Sequence, residues 1–500
     1  MSAVSYSQLV WVTLPEIALV VAALAVLACD GTVLRGAAIA RRRGVAALLA
    51  CAGSVAAMLL VGSGPASFHL PDGMLVMDGR TRVVQVALLV LTILTVLLSE
   101  AMLTPAAEGV AGGKTAFTHH IGEYFALLLF ATVAVLFLVS TQNFLLIFLA
   151  LEFLSLVLYI LTGFDKQSQL STEAALKYFL FGGISAAFLL FGISLIYGLS
   201  GSIDLSQIAV AALQPDPLWM IAIVMVVVGF GFKVAAAPFH LWAPDTYQGA
   251  PTISAGFVSS SSKVASFFIF AQVLTLGVFG AAGSGMWHGA APGWVPVLCV
   301  VAALSLLLGN LAALVQTSLR RLLAYSAIGH AGYLLLAIIA HTPQSTSALL
   351  YYVFTYALTV LGAFGVLAAL EAQGIDRIAD VAGLSRRAPF LSACMLVFLL
   401  SLAGIPPLAG FFGKFWLFGT ALNAAPQLGL FWLVMLAILM SVVALVYYLR
   451  VLKQIFVADV PANAGAIHSG LVTRVTLGVM AAATVVLGCD PGLLIRWVVR

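Results

Sequence analysis

The chain has 500 residues, of which 63% are hydrophobic and only 8% charged, with 22 Lys plus Arg against 18 Asp plus Glu. A soluble domain carries about 25% charged residues, and a soluble chain of this length would need a charged surface that this one cannot make, so it is expected to be an integral membrane protein. Apolar dominance excludes disorder, the glycines have no collagen period, five cysteines are too few for a disulfide scaffold, and a net charge of +4 is too small for a nucleic-acid footprint.

Apolar runs of about 20 residues read as membrane spans. They fall near 8–28, 45–62, 82–103, 122–140, 142–163, 173–199, 217–240, 253–279, 292–316, 322–341, 345–370, 390–421, 427–457 and 470–490, about fourteen helices. The expected fold class is therefore all-α: a polytopic membrane protein, residues 1–500 forming one transmembrane domain. The first run does not read as a cleaved signal, because the first basic residue is Arg35, Glu16 sits inside the run, and no small-residue cleavage site frames it. Once the helices are removed, no soluble domain, long linker or low-complexity tail remains.

The basic residues sort by side. Odd-numbered loops and the helix ends beside them hold Arg35, Arg41, Arg42, Arg43, Lys114, Lys166, Arg320, Arg321, Arg377, Arg386, Arg387, Arg450, Lys453 and Arg474. Even-numbered loops hold Arg80 and Arg82, and the C-terminal tail holds Arg496 and Arg500. By the positive-inside rule the N-terminus lies outside, and an even helix count returns the C-terminus there too. Lys177, Lys233, Lys263 and Lys414 are left over, each within a predicted helix.

Cofactor ligation has little support. Cys29, Cys51, Cys299, Cys394 and Cys489 never approach C-x-x-C spacing; His119 and His120 share a loop, and His69, His240, His288, His330, His341 and His468 stand alone. No zinc, P-loop or dinucleotide-binding motif has a usable context. The chain is expected to work with no cofactor of its own.

A charge at the centre of a membrane helix costs roughly 2.5 to 3.5 kcal/mol on the insertion scale. Glu152 nevertheless stands in the middle of the apolar run from Phe144 to Tyr159. Buried ion pairs that merely lock helices would account for one such residue, but they are poor stabilisers, so they account badly for five spread over five helices. Lysine sharpens the point, because arginine keeps its proton everywhere whereas a desolvated lysine can release and rebind one. A proton path needs such a row.

Helix interruptions point the same way. Lys233 is followed by Pro238 and Pro244, and Lys414 is preceded by Gly404-Ile-Pro-Pro407. Broken membrane helices free backbone groups, and a corresponding pair of breaks points to an ion site. With one half running over helices 4–8 (residues 121–280) and the other over helices 9–13 (290–457), both breaks fall in the fourth helix of their half, helices 7 and 12. Five helices is an odd number, so the second repeat must be inverted. Three helices (1–120) precede the repeats and one (458–500) follows.

Other polar residues are less specific. Glu173 and Lys177 stand at i and i+4, either as a surface pair or at a point of proton uptake. Ser259 to Ser262 precede Lys263, where serines either permit close packing or solvate a charge and water, the adjacent lysine favouring the second. His330, near Tyr325 and Ser326, is either a satisfied buried histidine or a possible relay. Glu16, Asp30 and Asp78 are assigned to helix ends, where snorkelling or capping accounts for them.

The stretch Phe232-Lys-Val-Ala-Ala-Ala-Pro-Phe-His-Leu-Trp-Ala-Pro-Asp-Thr-Tyr-Gln-Gly-Ala-Pro-Thr252 closely resembles the antiporter-like membrane subunits of proton-pumping NADH-quinone oxidoreductase, complex I. Its Asp245-Thr-Tyr-Gln-Gly-Ala-Pro251 portion resembles subunit N rather than the sister subunits. Thr172 to Leu180, Tyr325 to Tyr333 and Gly404 to Lys414 match further signatures of that subunit, so the resemblance runs from about helix 4 to helix 13. One departure is Ile253, where the family commonly has a second proline.

The resemblance implies two inverted five-helix repeats with helices 7 and 12 broken. It implies a charge-switch pair at Glu152 and Lys233, a mid-membrane lysine at Lys263 and a lysine near the exit side at Lys414. It also implies a bacterial inner-membrane location with periplasmic termini, and sister antiporter-like subunits and lipid as partners. NAD, FMN, iron-sulfur clusters and quinone then belong to the rest of the complex. Three alternatives remain: a subunit of an Mrp-type cation/proton antiporter, against which Tyr247-Gln248-Gly249 argues; a structural membrane spacer; and a membrane-embedded lipid enzyme, for which no metal motif is present.

Overall fold

The computed structural model describes residues 6–65, 67–103, 120–212, 217–286, 291–371, 373–461, 465, 467 and 469–499. Lys114, His119, His288, His468 and Arg500 lie outside the described residues. The helices in chain order are α1 Tyr6–Ala28, α2 Ile39–Ser63, α3 Gly79–Leu103, α4 Ile121–Val139, α5 Phe144–Thr162 and α6 Gln169–Ser200. They continue as α7 Pro217–Lys233, α8 Trp242–Gly249, α9 Thr252–Gly277, α10 Trp294–Leu314, α11 Leu319–Ala340 and α12 Pro343–Glu371. The last are α13 Pro389–Ala403, α14 Ala409–Leu428, α15 Phe431–Phe456, α16 Leu471–Cys489 and α17 Gly492–Val498. A two-stranded hairpin, β1 Phe68–His69 and β2 Val76–Met77, joins α2 to α3.

Among the described residues 12 helices are long and apolar enough to cross a membrane, and α7 and α13 are shorter apolar helices. Their ends follow local chemistry. Asn143 accepts from the N–H groups of Leu145 and Leu146 to start α5, and Ser318 accepts from Arg321 to start α11. Gly201 and Gly429 close α6 and α14 in the left-handed conformation. The predicted start of helix 2 moves forward to Ile39, so that Arg41, Arg42 and Arg43 ride on its first turn. Arg42 pairs there with Asp30, whose Oδ2 also accepts from the Gly122 N–H at the start of α4.

The core is formed by α9, α11 and α12, whose spanning windows are almost wholly buried, while α6, α15 and α16 face outward with apolar side chains. α12 packs on α3, α9, α11, α13, α14 and α16, which makes it the central post. The first three helices pack on one another and on α4.

Predicted helix 7 is interrupted between α7 and α8, and predicted helix 12 between α13 and α14. Both interruptions contain an X-Pro bond in cis, Ala237-Pro238 and Pro406-Pro407. The backbone groups they release are satisfied inside the protein, as irregular chain at membrane depth requires. The Ala237 N–H donates to Ser305 Oγ (2.8 Å) on α10, and the Trp242 indole donates to the Phe232 carbonyl (3.0 Å). At the second break Ser401 Oγ accepts from the Gly410 N–H (3.1 Å).

Glu16 is a correction to the sequence reading. It stands mid-way along α1 rather than near an end, and its side chain turns inward, with Oε2 buried and without a hydrogen-bond partner among the described residues. Snorkelling does not account for it.

Candidate functional site

Lys233 is the last residue of α7, so its ammonium stands at the negative end of a half-helix dipole. Its Nζ donates to Ser155 Oγ (2.6 Å) on α5, and Ser155 in turn donates to the Leu151 carbonyl (2.6 Å). Glu152, one residue before Ser155, lines the same narrow cavity between α5, α6 and α7. Glu152 and Lys233 line that cavity together, and among the described residues no ion pair closes between them.

Lys263 lies in α9 directly after a π-helical turn, Val258–Ser262. The expectation that the serines solvate it is not met: Ser259 and Ser260 donate to the Gly256 carbonyl, as serines in helices do when no better acceptor is offered. The Lys263 Nζ instead crosses to α11 and donates to the Ala327 carbonyl (2.5 Å), with the Tyr356 ring 5.7 Å away.

His330, also on α11, is buried. Its Nδ1 shares a hydrogen bond with Tyr352 Oη (2.7 Å) and its Nε2 a longer one with Tyr448 Oη (3.3 Å), while Tyr448 bonds closely to Ser326. The rings of Tyr356 and Tyr333 lie 4.8 and 5.6 Å from the imidazole. Tyr325, five residues before His330 in the chain, faces Arg321.

Lys414 sits on α14 but reaches back across the break. Its Nζ donates to the carbonyls of Leu402 (3.0 Å) and Ala403 (3.1 Å), the last residues of α13, and to Ser441 Oγ (3.0 Å) on α15. The Tyr333 ring lies 4.9 Å from it. Gly404, with φ 86°, turns the chain where a Cβ would stand 3.0 Å from Lys414 Cδ, so the position needs glycine for both shape and space.

Lys177 separates from the other three lysines. Its side chain is 39% exposed, and its Nζ bonds to Glu173 (2.7 Å) and to Asp245 (2.8 Å). Asp245 also accepts from Arg321 (2.6 Å), which bonds Gln248 as well (3.1 Å). The cluster ties α8 to α6 and α11.

Thus Lys233 with Glu152, and Lys263 with His330 and Lys414, form two buried groups, while Lys177 lies at a rim. Sequence reasoning missed Ser155, Ser441, Tyr352, Tyr356 and Tyr448. Their only linear signal is polarity within apolar runs, which many membrane helices carry without consequence. Among the described residues no group of three or more His, Cys, Asp or Glu stands together.

Residues 141–443 match the family model described as NADH:quinone oxidoreductase/Mrp antiporter, transmembrane. The chain is 68% identical over 497 residues to NADH-quinone oxidoreductase subunit N 2 of Acidobacterium capsulatum, covering 99% of this chain and 100% of that one. It is 39% identical over 422 residues to NADH-quinone oxidoreductase subunit N of Rhodospirillum rubrum, covering 83% and 82%. Its fold matches a chain of respiratory complex I from Thermus thermophilus with bound aureothin at a TM-score of 0.76 and 33% identity, over 96% and 98% of the two chains. A chain of the Mrp complex from Dietzia sp. DQ12-45-1b matches at a TM-score of 0.80 over 99% and 97%, at 19% identity, a likeness of fold alone. The chain belongs to the subunit N family of NADH-quinone oxidoreductase, within the NADH:quinone oxidoreductase/Mrp antiporter membrane proteins.

Proposed function

We propose that this subunit carries protons across the membrane through Glu152, Lys233, Lys263, His330 and Lys414, driven by electron transfer from NADH to quinone in other subunits. The observation that carries the reading is a run of buried contacts: Lys263 to Tyr356, Tyr356 to His330, His330 to Tyr333 and Tyr333 to Lys414. The lysine partners are neutral hydroxyls and carbonyls, which hold an ammonium without fixing its charge as a carboxylate in contact would.

A conformational or charge change at one end of the subunit moves Glu152 relative to Lys233. When the carboxylate approaches, Lys233 is favoured as ammonium; when it withdraws, the desolvated lysine gives up its proton. No side chain among the described residues bonds both Lys233 and Lys263, both Lys263 and His330, or both His330 and Lys414, so water is assigned to all three steps. From Lys263 the proton passes to His330, whose two nitrogens reach Tyr352 and Tyr448, and on to Lys414 for release. Lys177 holds Asp245, and thereby α8, at the rim.

In this reading α4 to α9 and α10 to α15 are the two inverted repeats, the broken helices count as one crossing each, and the crossings total fourteen. The termini face the periplasm of a bacterial inner membrane. NAD, FMN, iron-sulfur clusters and quinone work in partner subunits, and sister antiporter-like subunits and lipid flank this one.

NADH-driven proton uptake into inverted membrane vesicles tests the assignment. Lys233→Ala and Glu152→Ala are expected to lower the protons moved per NADH oxidised, and unchanged pumping at full electron transfer would sink the assigned roles. On a native gel of solubilised membranes the chain is expected to migrate with NADH dehydrogenase activity; migration apart from it favours the antiporter alternative.

A further inference from the structure

An apolar groove of about 550 Å³ lies outside the proton path, between the end of α2, the first half of α3, α12, α16 and α17. Val61 and Leu91 are buried in its floor, Phe354 and Leu358 form its back wall, and Leu494 and Trp497 stand at its rim. The one charged group in the lining is Arg82. Arg82 Nη2 donates to the Gly64 carbonyl (2.6 Å), but its Nε is buried without a hydrogen-bond partner, and among the described residues no carboxylate pairs with the guanidinium. A half-buried guanidinium that lines an apolar slot and has no carboxylate of its own among the described residues is placed to take an anion.

Depth decides what the anion is attached to. From Arg82 to Leu91 the groove follows nine residues of α3, about 13 Å at roughly 1.5 Å per residue, close to half of a hydrocarbon core about 30 Å thick. A slot one leaflet deep, cationic at the headgroup level and apolar below, fits an acyl chain under a phosphate. Trp497 and Arg496 on the short terminal helix α17 are exposed there, the composition of a membrane-interface segment.

We propose that this groove is a binding site for an anionic phospholipid, its phosphate on Arg82 and one acyl chain between α3 and α12. The inference does not depend on the proton path.

The test uses the whole oxidoreductase, equilibrated in nanodiscs of mixed dioleoyl phosphatidylglycerol and dioleoyl phosphatidylcholine, transferred to detergent, and weighed by native mass spectrometry. Wild type is expected to retain phosphatidylglycerol over phosphatidylcholine. Arg82→Gln is expected to retain about fivefold less of it, the effect of one basic residue near a membrane surface. Ala87→Trp fills the slot with Arg82 untouched and is expected to exclude the lipid; it also decides the matter if Arg82→Gln fails to assemble. Equal retention of the two lipids by wild type, or unchanged retention in Ala87→Trp, overturns the proposal. So does a polypeptide that leaves the complex in place of lipid when the slot is filled.

Discussion

Lys233 and Lys414 both stand where a half-helix stops inside the protein, yet they are held in different ways. Lys233 ends its own half-helix, turns away from it to Ser155, and shares a cavity with Glu152. Lys414 belongs to the second half-helix and reaches back to cap the first, on the carbonyls of Leu402 and Ala403. The first lysine can be addressed by a movable charge. The second is addressed by fixed backbone dipoles, which favour ammonium at a helix C-terminus but do not move. In the proposed relay the command enters at the Glu152 end and the response leaves at the Lys414 end through the groups between.

The largest effect is expected where the movable charge acts. Lys233→Arg keeps a cation but not one that releases its proton, so pumping should fall by at least about tenfold, a change of about 1.4 kcal/mol in the barrier. Proton uptake per NADH by vesicles carrying this variant is the measurement; pumping at the wild-type rate would mean that a fixed charge suffices and that Lys233 does not titrate.

At the other end two functions of one lysine can be separated. Lys414→Arg should still cap α13 and hold the junction with α14 while stopping proton release, whereas Lys414→Met should lose both. The readouts are pumping and thermal unfolding of the purified complex. If arginine and methionine unfold at the same temperature, the capping role is wrong, whatever happens to pumping.

Removing one hydroxyl at each end sharpens the contrast. Ser155→Ala takes away the hydrogen bond that Lys233 donates to Ser155 Oγ, and hydrogen bonds to charged groups are worth about 1.5–3 kcal/mol. Ser441→Ala leaves Lys414 with two carbonyls. Turnover should therefore slow several-fold for Ser155→Ala and much less for Ser441→Ala; the reverse order would contradict the account of which end is commanded.

The three buried lysines, Glu152 and the two breaks were legible in the sequence because each violates the composition around it: a charge in an apolar run, or Pro and Gly within a helix. Their partners were not. Ser155, Tyr352 and Tyr448 are unexceptional residues until α5, α11, α12 and α15 are packed, because the pairings cross helices far apart in the chain. Adjacency misled at Lys263, where Ser259 and Ser260 turned to their own helix backbone. Spacings of four and three residues would put them on the lysine's face in a regular α-helix, and the π-helical turn Val258–Ser262 alters that register.

Lys177 is the control for this comparison, a lysine in the same kind of apolar helix whose ammonium already has two carboxylates, Glu173 and Asp245. Asp245 keeps Arg321 when Lys177 is gone, so α8 remains tied to α11. Exposed pairs of this kind contribute little because water and salt screen them. Lys177→Gln should therefore change pumping less than any substitution above and should leave thermal stability nearly unmoved, and the small effect should shrink further in high salt. A loss of pumping comparable to that of Lys233→Arg would place Lys177 on the proton path itself, as a point of uptake, and would extend the commanded end of the relay to the rim of the membrane.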